Sequence, residues 1–388
     1  MIRCIRMVVV ALLTFLAFDC AAATIVVDRS GAGDFRVLQE GIDAAAEGDT
    51  VFIRAGRYTE SSIAYISPVD TTYSCAHIEL QRLTVIGEGA ETIIGPTSYV
   101  YPDTLHEGIT CHVDSAHIEV SNLTLVNCKA GIELQVNTAR VVSASIEQCD
   151  IAILVLENTG VEVLDCILDG NDDGIVNYRG SVLMERTNVV GRWSAITMGN
   201  GGTSVVRDCV VRLDDVGTGV TAGAAGVVEI LNVDISAGLG VAALSLAQVT
   251  LRNSRVQGTY SAVRVTNASL DATAGNNVLV GGSGAVLEFE AALEVDVNDN
   301  DLQKGEGILV RARQVQGDLI EPTRLNLRNN FWGLTNAVEI AELIDDFHDY
   351  PPPPYDDRHY VIVDFEPFLN ESTPTEQKSL SGLKGLFR

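Results

Sequence analysis

Histidine is absent from residues 118–347, the larger part of the chain. A histidine general base is excluded from that stretch, which leaves carboxylates, Lys, Arg and Tyr for any proton transfer there. Basic residues are scarce as well: Lys plus Arg number 26 against 52 Asp plus Glu, a net charge of −26. Counterion release by Lys and Arg drives phosphate binding, so no nucleic-acid partner is expected, nor an anionic membrane surface. A polyuronate is repelled too, unless a local basic groove or bound cations offset the field. Beyond residue 18 no apolar run is long enough to span a bilayer. No apolar i, i+3, i+4, i+7 stripe persists, which excludes an α-solenoid, and the dense Leu signature of leucine-rich repeats is missing.

The N-terminus reads as an export signal. Arg3 and Arg6 precede the apolar stretch Met7 to Phe18, and Ala21-Ala22-Ala23 offers a small-residue cleavage site. Residues 1–23 are assigned to this signal, and the mature protein is expected in the periplasm, on the outer surface or outside the cell. Phe18 and Asp19 stand where small residues would precede a lipidated Cys20. Six cysteines then remain: Cys75, Cys111, Cys128, Cys149, Cys166 and Cys209.

What the chain does contain is a repeat. Its short form is apolar, any, Asn/Asp, small, any, apolar. It runs through Val120-Ser-Asn122-Leu-Thr-Leu125, Val163-Leu-Asp165-Cys-Ile-Leu168 and Val206-Arg-Asp208-Cys-Val-Val211, with looser copies between and after them. Successive starts from Val120 are 21, 22, 21, 22, 24 and 21 residues apart. A second short strand opens on Gly or Ala, as in Gly131-Ile-Glu-Leu, Ala152-Ile-Leu-Val, Gly174-Ile-Val-Asn and Ala195-Ile-Thr-Met. Strands this short cannot bury a face alone. Stacked coils about 4.8 Å apart let each inward residue meet its own copy. The Asn/Asp position suits a sharp bend, because those residues tolerate left-handed backbone. The expected fold is an all-β, single-stranded right-handed parallel β-helix of about ten to twelve coils over residues 24–333. Residues 334–370 are expected to form a closing segment and 371–388 a disordered tail.

The ends carry a resemblance. Gly31-Ala-Gly-Asp34-Phe35, Leu38-Gln-Glu-Gly-Ile42, Gly48-Asp-Thr-Val51 and Ala55-Gly-Arg-Tyr58 resemble the N-terminal cap of the pectin-lyase-like β-helix superfamily, pectin methylesterases included. Leu83 to Gly89 resembles the next coil of the same proteins. Residues 37–46 have helical periodicity, so an amphipathic helix is expected to plug the first coil. The resemblance implies the fold; the superfamily hosts lyases, hydrolases, esterases, epimerases and non-enzymes. The active-site stretches of pectin methylesterases and pectate lyases are missing. Asn329-Asn-Phe-Trp-Gly333, a short helix from Ala337, Pro351 to Pro354 and the strand Val361 to Phe365 resemble the closing segment of secreted bacterial β-helix proteins.

Candidate chemistry is sparse. Asn171-Asp172-Asp173-Gly174 reads as a structural turn; as an acid site or a calcium site it is the weaker reading, with Asp172, Asp173 and Arg179 as the catalytic candidates. No other cofactor is expected. His106-Glu107 and His112-Val113-Asp114 lack compact ligand spacing, so no metal site is assigned. Tyr178-Arg179 and Arg192-Trp193 are the candidates for sugar stacking. Leu154, Leu156, Val176, Leu287, Phe289 and Leu309 are read as an outward apolar stripe, covered by the Pro-rich segment or by self-association. Cys128 and Cys149 stack in neighbouring coils, where a disulfide is geometrically possible. The preferred function is a non-catalytic exported scaffold, adhesin-like or binding a polysaccharide or cell-surface glycan. The alternative is a polysaccharide-active lyase, hydrolase or uronate epimerase.

Overall fold

The computed structural model describes residues 22–66, 71–98, 106–313, 323–346 and 361–371. The residues before Ala22 that read as an export signal, His348, His359, the Pro-rich segment and the residues after Glu371 lie outside them. The chain winds as a right-handed parallel β-helix of about 12 turns. Among the described residues one side of each coil adds to a fourteen-stranded sheet, and the remainder forms a twenty-stranded sheet. Pairing is parallel and in register from coil to coil, as in Val120↔Val141, Val141↔Val163 and Val163↔Met184. The exception is the antiparallel hairpin of Ser62–Ile66 with Thr71–Ile78.

The bend expected at the Asn/Asp position is present. Asn122, Ser143, Asp165, Arg186, Asp208, Asn232, Asn253, Asn276, Asp299 and Asn329 all have φ between 46° and 59°. Arg186 is the least suited of these to left-handed backbone. Its guanidinium makes a two-pronged bond to Asp165, one coil back, at 2.7 and 2.9 Å.

The small residue after the bend points inward and forms a polar ladder. The hydroxyl of Thr187 accepts from the Cys166 amide (3.3 Å) and that of Ser254 from the Val233 amide (3.1 Å). Asn277, Asn300 and Asn330 accept in the same way from the amides of Ser254, Asn277 and Asn300, at 2.9, 3.2 and 2.9 Å. Each side chain thus satisfies a buried N–H of the preceding coil, which would otherwise cost about 1–3 kcal/mol. The apolar core runs alongside in columns such as Ile132, Ile153, Ile175 and Ile196.

The twenty-stranded sheet contains two stacks. One includes Thr124–Val126 and Ser145–Glu147; the other includes Ala130–Leu134 and Ile151–Val155. The two fuse where single strands run through the corner: Ile167–Tyr178, Asn188–Gly199, Asp234–Leu244 and Arg255–Thr266. The turn expected at Asn171 to Gly174 is therefore a bulged stretch of continuous strand, with register shifts at Asp169/Asn171 and Asn171/Asp173.

The first coil is covered by the helix Leu38–Asp43, shorter than its periodicity suggested, with Leu38 and Ile42 buried. Gln39 ties it down by exchanging hydrogen bonds with the backbone of His77 at 2.7 and 2.9 Å. At the other end Trp332 is buried edge-on against Phe365, the helix Ala337–Ala341 is capped by Asn336, and Val361–Asp364 pairs with Thr323–Asn326.

The apolar stripe needs correction. Leu287, Phe289 and Leu309 point into the core and are buried. Leu287 pairs with the inward Val263, so Glu288, not Leu287, takes the outward position of Leu154 and Val176. In the later coils that outward row is charged: Glu288 bridges Arg264 and Arg311, each at 2.7 Å.

Candidate functional site

Two groups of side chains on the outside of the twenty-stranded sheet have chemistry to offer. The first lies at the start of the repeat. His77, Thr110 and Glu133 share one outward row, and His112 lies two residues beyond Thr110. His77 Nδ1 is 2.8 Å from Thr110 Oγ1, and His112 Nε2 is 2.9 Å from Glu133 Oε1. The two imidazoles stand edge to face at 6.4 Å. Burial holds His77 below the ordinary imidazole value, with Glu79 opposing it.

Glu107 lies beside this group, 1% exposed. It accepts from the Ala130 amide at 2.6 Å and stands 3.6 Å from Lys129 Nζ. Burial, reinforced by Glu133, outweighs both partners and pushes its carboxyl up to about 7. Sequence reading assigned no metal site at His112 and gave His77 no role. The signal available was spacing: His112 and Glu133 are one coil apart, 21 residues.

The second group lies on the corner where the long strands turn. In-register pairing places Asp173, Ser194, Thr218, Leu239 and Ser261 in one row across five coils. The residue before each lies on the corner: Asp172, Trp193, Gly217, Gly238 and Tyr260. Trp193 is 50% exposed and Tyr260 41%. Between them the coil of Gly217 carries extra residues, and its loop Asp214 to Gly217 holds Val216 out at 69% exposure. That loop leans over Gly238. A Cβ on Gly238 would stand 2.2 Å from the Asp215 carbonyl, which accepts from Thr259 Oγ1 at 3.2 Å. Trp193, Val216 and Tyr260 therefore form one exposed ridge along the axis. It spans three coil steps, about 14 Å.

The ridge is set among ion pairs. Arg192 lies 3.0 Å from Asp172. Arg264 stacks over the Tyr260 ring at 5.5 Å while bonded to Glu288. Asp173 is half-buried, and its carboxyl is raised, first by burial and then by Asp172 and Asp150.

The candidates from the sequence divide. Asp172, Asp173, Arg192 and Trp193 come together at the corner. Tyr178 and Arg179 lie at the far end of the strand Ile167–Tyr178, about 20 Å away along extended chain. Arg179 has φ 65° and pairs with Glu157 at 3.0 Å, so its place is a turn, not a site shared with Asp172. Val216 and Tyr260 were missed. Tyr260-Ser-Ala-Val repeats Trp193-Ser-Ala-Ile, and that recurrence was the readable signal.

Cys128 and Cys149 are buried thiols in adjacent coils, with the Cys128 amide donating to Cys149 Sγ at 3.4 Å. No group of His, Cys, Asp and Glu that could hold a metal ion occurs among the described residues. Nor does any described helix have the length and apolar character to cross a membrane.

No protein-family profile matches the chain, and neither does any curated protein. Solved structures do. The A-module of the Azotobacter vinelandii mannuronan C-5 epimerase AlgE6 superposes with a TM-score of 0.55 at 16% identity, covering 87% of this chain and 94% of that one. The likeness is one of fold. A Geobacillus virus E2 protein, ORF18, matches at a TM-score of 0.39 and 10% identity over 74% of this chain and 59% of its own.

Proposed function

We propose that this protein is a glycan-binding β-helix whose binding surface is the corner ridge. The observation that supports it is the recurrence of exposed aromatic rings at one repeat position, Trp193 and Tyr260, with Val216 between them. Exposed rings held by a rigid sheet present flat apolar faces, which suit the C–H faces of pyranose rings. Charged and hydroxyl groups at their margins, Arg192, Asp172 and Thr259, supply hydrogen bonds to sugar hydroxyls. The fold shared with a carbohydrate-active epimerase is in keeping with this reading. The coils act as a scaffold that sets the spacing of the rings.

The chain has two tryptophans, and Trp332 is buried. Trp193 emission is therefore a local probe. Titration with a panel of glycan oligomers is expected to shift that emission, and Trp193→Ala or Tyr260→Ala to weaken retention on the matching polysaccharide gel at least ~10-fold. Unchanged emission across the panel, with unchanged retention of both variants, would refute the ridge as the binding surface.

A second reading, a polysaccharide-active enzyme, draws on the His112–Glu133 pair beside Glu107. An imidazole oriented by a carboxylate at 2.9 Å can serve as a general base toward a sugar. Release of reducing ends or unsaturated uronate from any polysaccharide, abolished in His112→Ala, would establish it in place of the first.

A further inference from the structure

Resting on the ridge as a glycan surface, we infer that its ligand is an uncharged hexose polymer and that the surface rejects polyuronates. The case comes from the charges around the rings. The corner segments that carry the ridge, residues 167–173, 188–194, 210–218, 234–239 and 255–261, contain six carboxylates: Asp169, Asp172, Asp173, Asp214, Asp215 and Asp234. They contain three guanidinium groups, Arg192, Arg212 and Arg255, so the count is three charges to the negative side.

Arg192 and Arg212 are already bonded to Asp172 and Asp234. Arg264, above the Tyr260 ring, is bonded to Glu288. Recognition of a sugar carboxylate draws on Arg or Lys able to turn both prongs to it. Here Arg192, Arg212 and Arg264 would each first have to leave a carboxylate, and Arg255, bonded to the Gln257 amide oxygen at 3.4 Å, stands against six carboxylates on the corner.

The loop residues Asp214 and Asp215 are exposed and immediately precede Val216, so a chain lying on the ridge passes both. Burial first, and then the neighbouring Asp172 and Asp150, disfavour ionisation of Asp173, so the contribution of those two charges has the same sign. The net charge of −26 adds a long-range term of the same sign. Uncharged pyranose rings meet none of these penalties and keep the stacking on Trp193 and Tyr260.

The test uses the full mature chain and two sets of probes. Neutral hexamers of β-linked glucose, mannose and galactose are titrated against hexamers of mannuronate and galacturonate, with Trp193 emission as the readout. The titrations are run at about 10 mM and about 150 mM salt, where screening differs. At least one neutral hexamer is expected to bind with an affinity indifferent to salt. The uronates are expected to bind at least ~10-fold more weakly at low salt, with the gap narrowing as salt rises. The double variant Asp214→Asn, Asp215→Asn is expected to narrow that gap at low salt while leaving the neutral probe within about twofold.

A uronate that binds at low salt as tightly as the best neutral hexamer overturns the inference and leaves the ridge standing as a glycan surface. Failure of every probe to move Trp193 emission, with normal folding by circular dichroism, overturns both.

Discussion

Trp193 and Tyr260 stand at the same position of the repeat, three coils apart, each directly before a Ser-Ala pair. An inward residue is repeated so that it can pack on its own copy. Packing gives no such reason for repeating an exposed ring. Trp193→Ala is accordingly expected to change folding stability by less than about 0.5 kcal/mol. Acrylamide quenching should be strong in the wild type and nearly lost in the variant, leaving the buried Trp332. A melting point lowered by many degrees would mean that the ring is part of the packing.

Gly238 lets the Asp214 to Gly217 loop lie down. A Cβ there would meet the Asp215 carbonyl at 2.2 Å, so backbone has to move. Gly238→Ala is expected to cost about 1–3 kcal/mol by thermal melting. It should also weaken glycan retention, because Val216 rides on the displaced loop.

Asn300 sits mid-ladder. Its Oδ1 accepts from the Asn277 amide and from Asn277 Nδ2, and its own Nδ2 donates to the carbonyls of Ala272 and Asn298. Asn300→Leu keeps the volume but strands these groups, at a cost of about 3–5 kcal/mol. A solenoid couples mainly nearest neighbours. Faster amide exchange should therefore concentrate in the coils around Asn277 and Asn330 and spare those around Val141.

Glu107 makes stability depend on pH. Its carboxyl is raised from 4.5 to about 7, so between these values the folded chain holds a proton that the unfolded chain has released. Stability from this group is full below the lower value and is lost as pH rises through the upper one. Glu107→Gln is expected to melt above wild type at about pH 8, by on the order of 2–3 kcal/mol, and to lose that advantage by about pH 5. His77, lowered by burial, costs stability on acidification. It is present in both proteins, so the difference between them isolates Glu107.

Burial raises Cys75, Cys111 and Cys209 to about 12, and the six described cysteines are buried. The native chain from Thr24 is expected to resist a thiol reagent and the denatured chain to titrate six thiols. A count of four would show one disulfide, and peptide mapping that joins Cys128 to Cys149 would assign it to that pair.

Most of the fold was legible before any coordinates. The period near 21 residues, Asn and Asp at the bend and small residues after it follow from a single requirement: each coil must present to its neighbours what they present to it. Leu287 and Phe289 were misplaced because a shifted copy of the repeat was matched by its apolar residues, when Glu288 marked the outward position. The Asn171 to Gly174 stretch was read as a turn because Asp and Gly favour turns locally. Pairing with both neighbouring coils instead drew it into a continuous strand, with its irregularity absorbed as a bulge.

The site was legible only in pieces. Arg192, Trp193, Asp172 and Asp173 carried a signal in their residue types, but Tyr178 and Arg179 carried the same signal and lie elsewhere. The sequence by itself determined the β-helix, its period and the inward columns of the regular coils, because those rest on patterns repeated many times along the chain. The tertiary structure alone decided that Trp193, Val216 and Tyr260 share one ridge, and that His77, Thr110, His112 and Glu133 meet. Both depend on which residues fall in register several coils apart. Extra residues at one corner, such as the Asp214 to Gly217 loop, change what is presented there without disturbing the strands on either side.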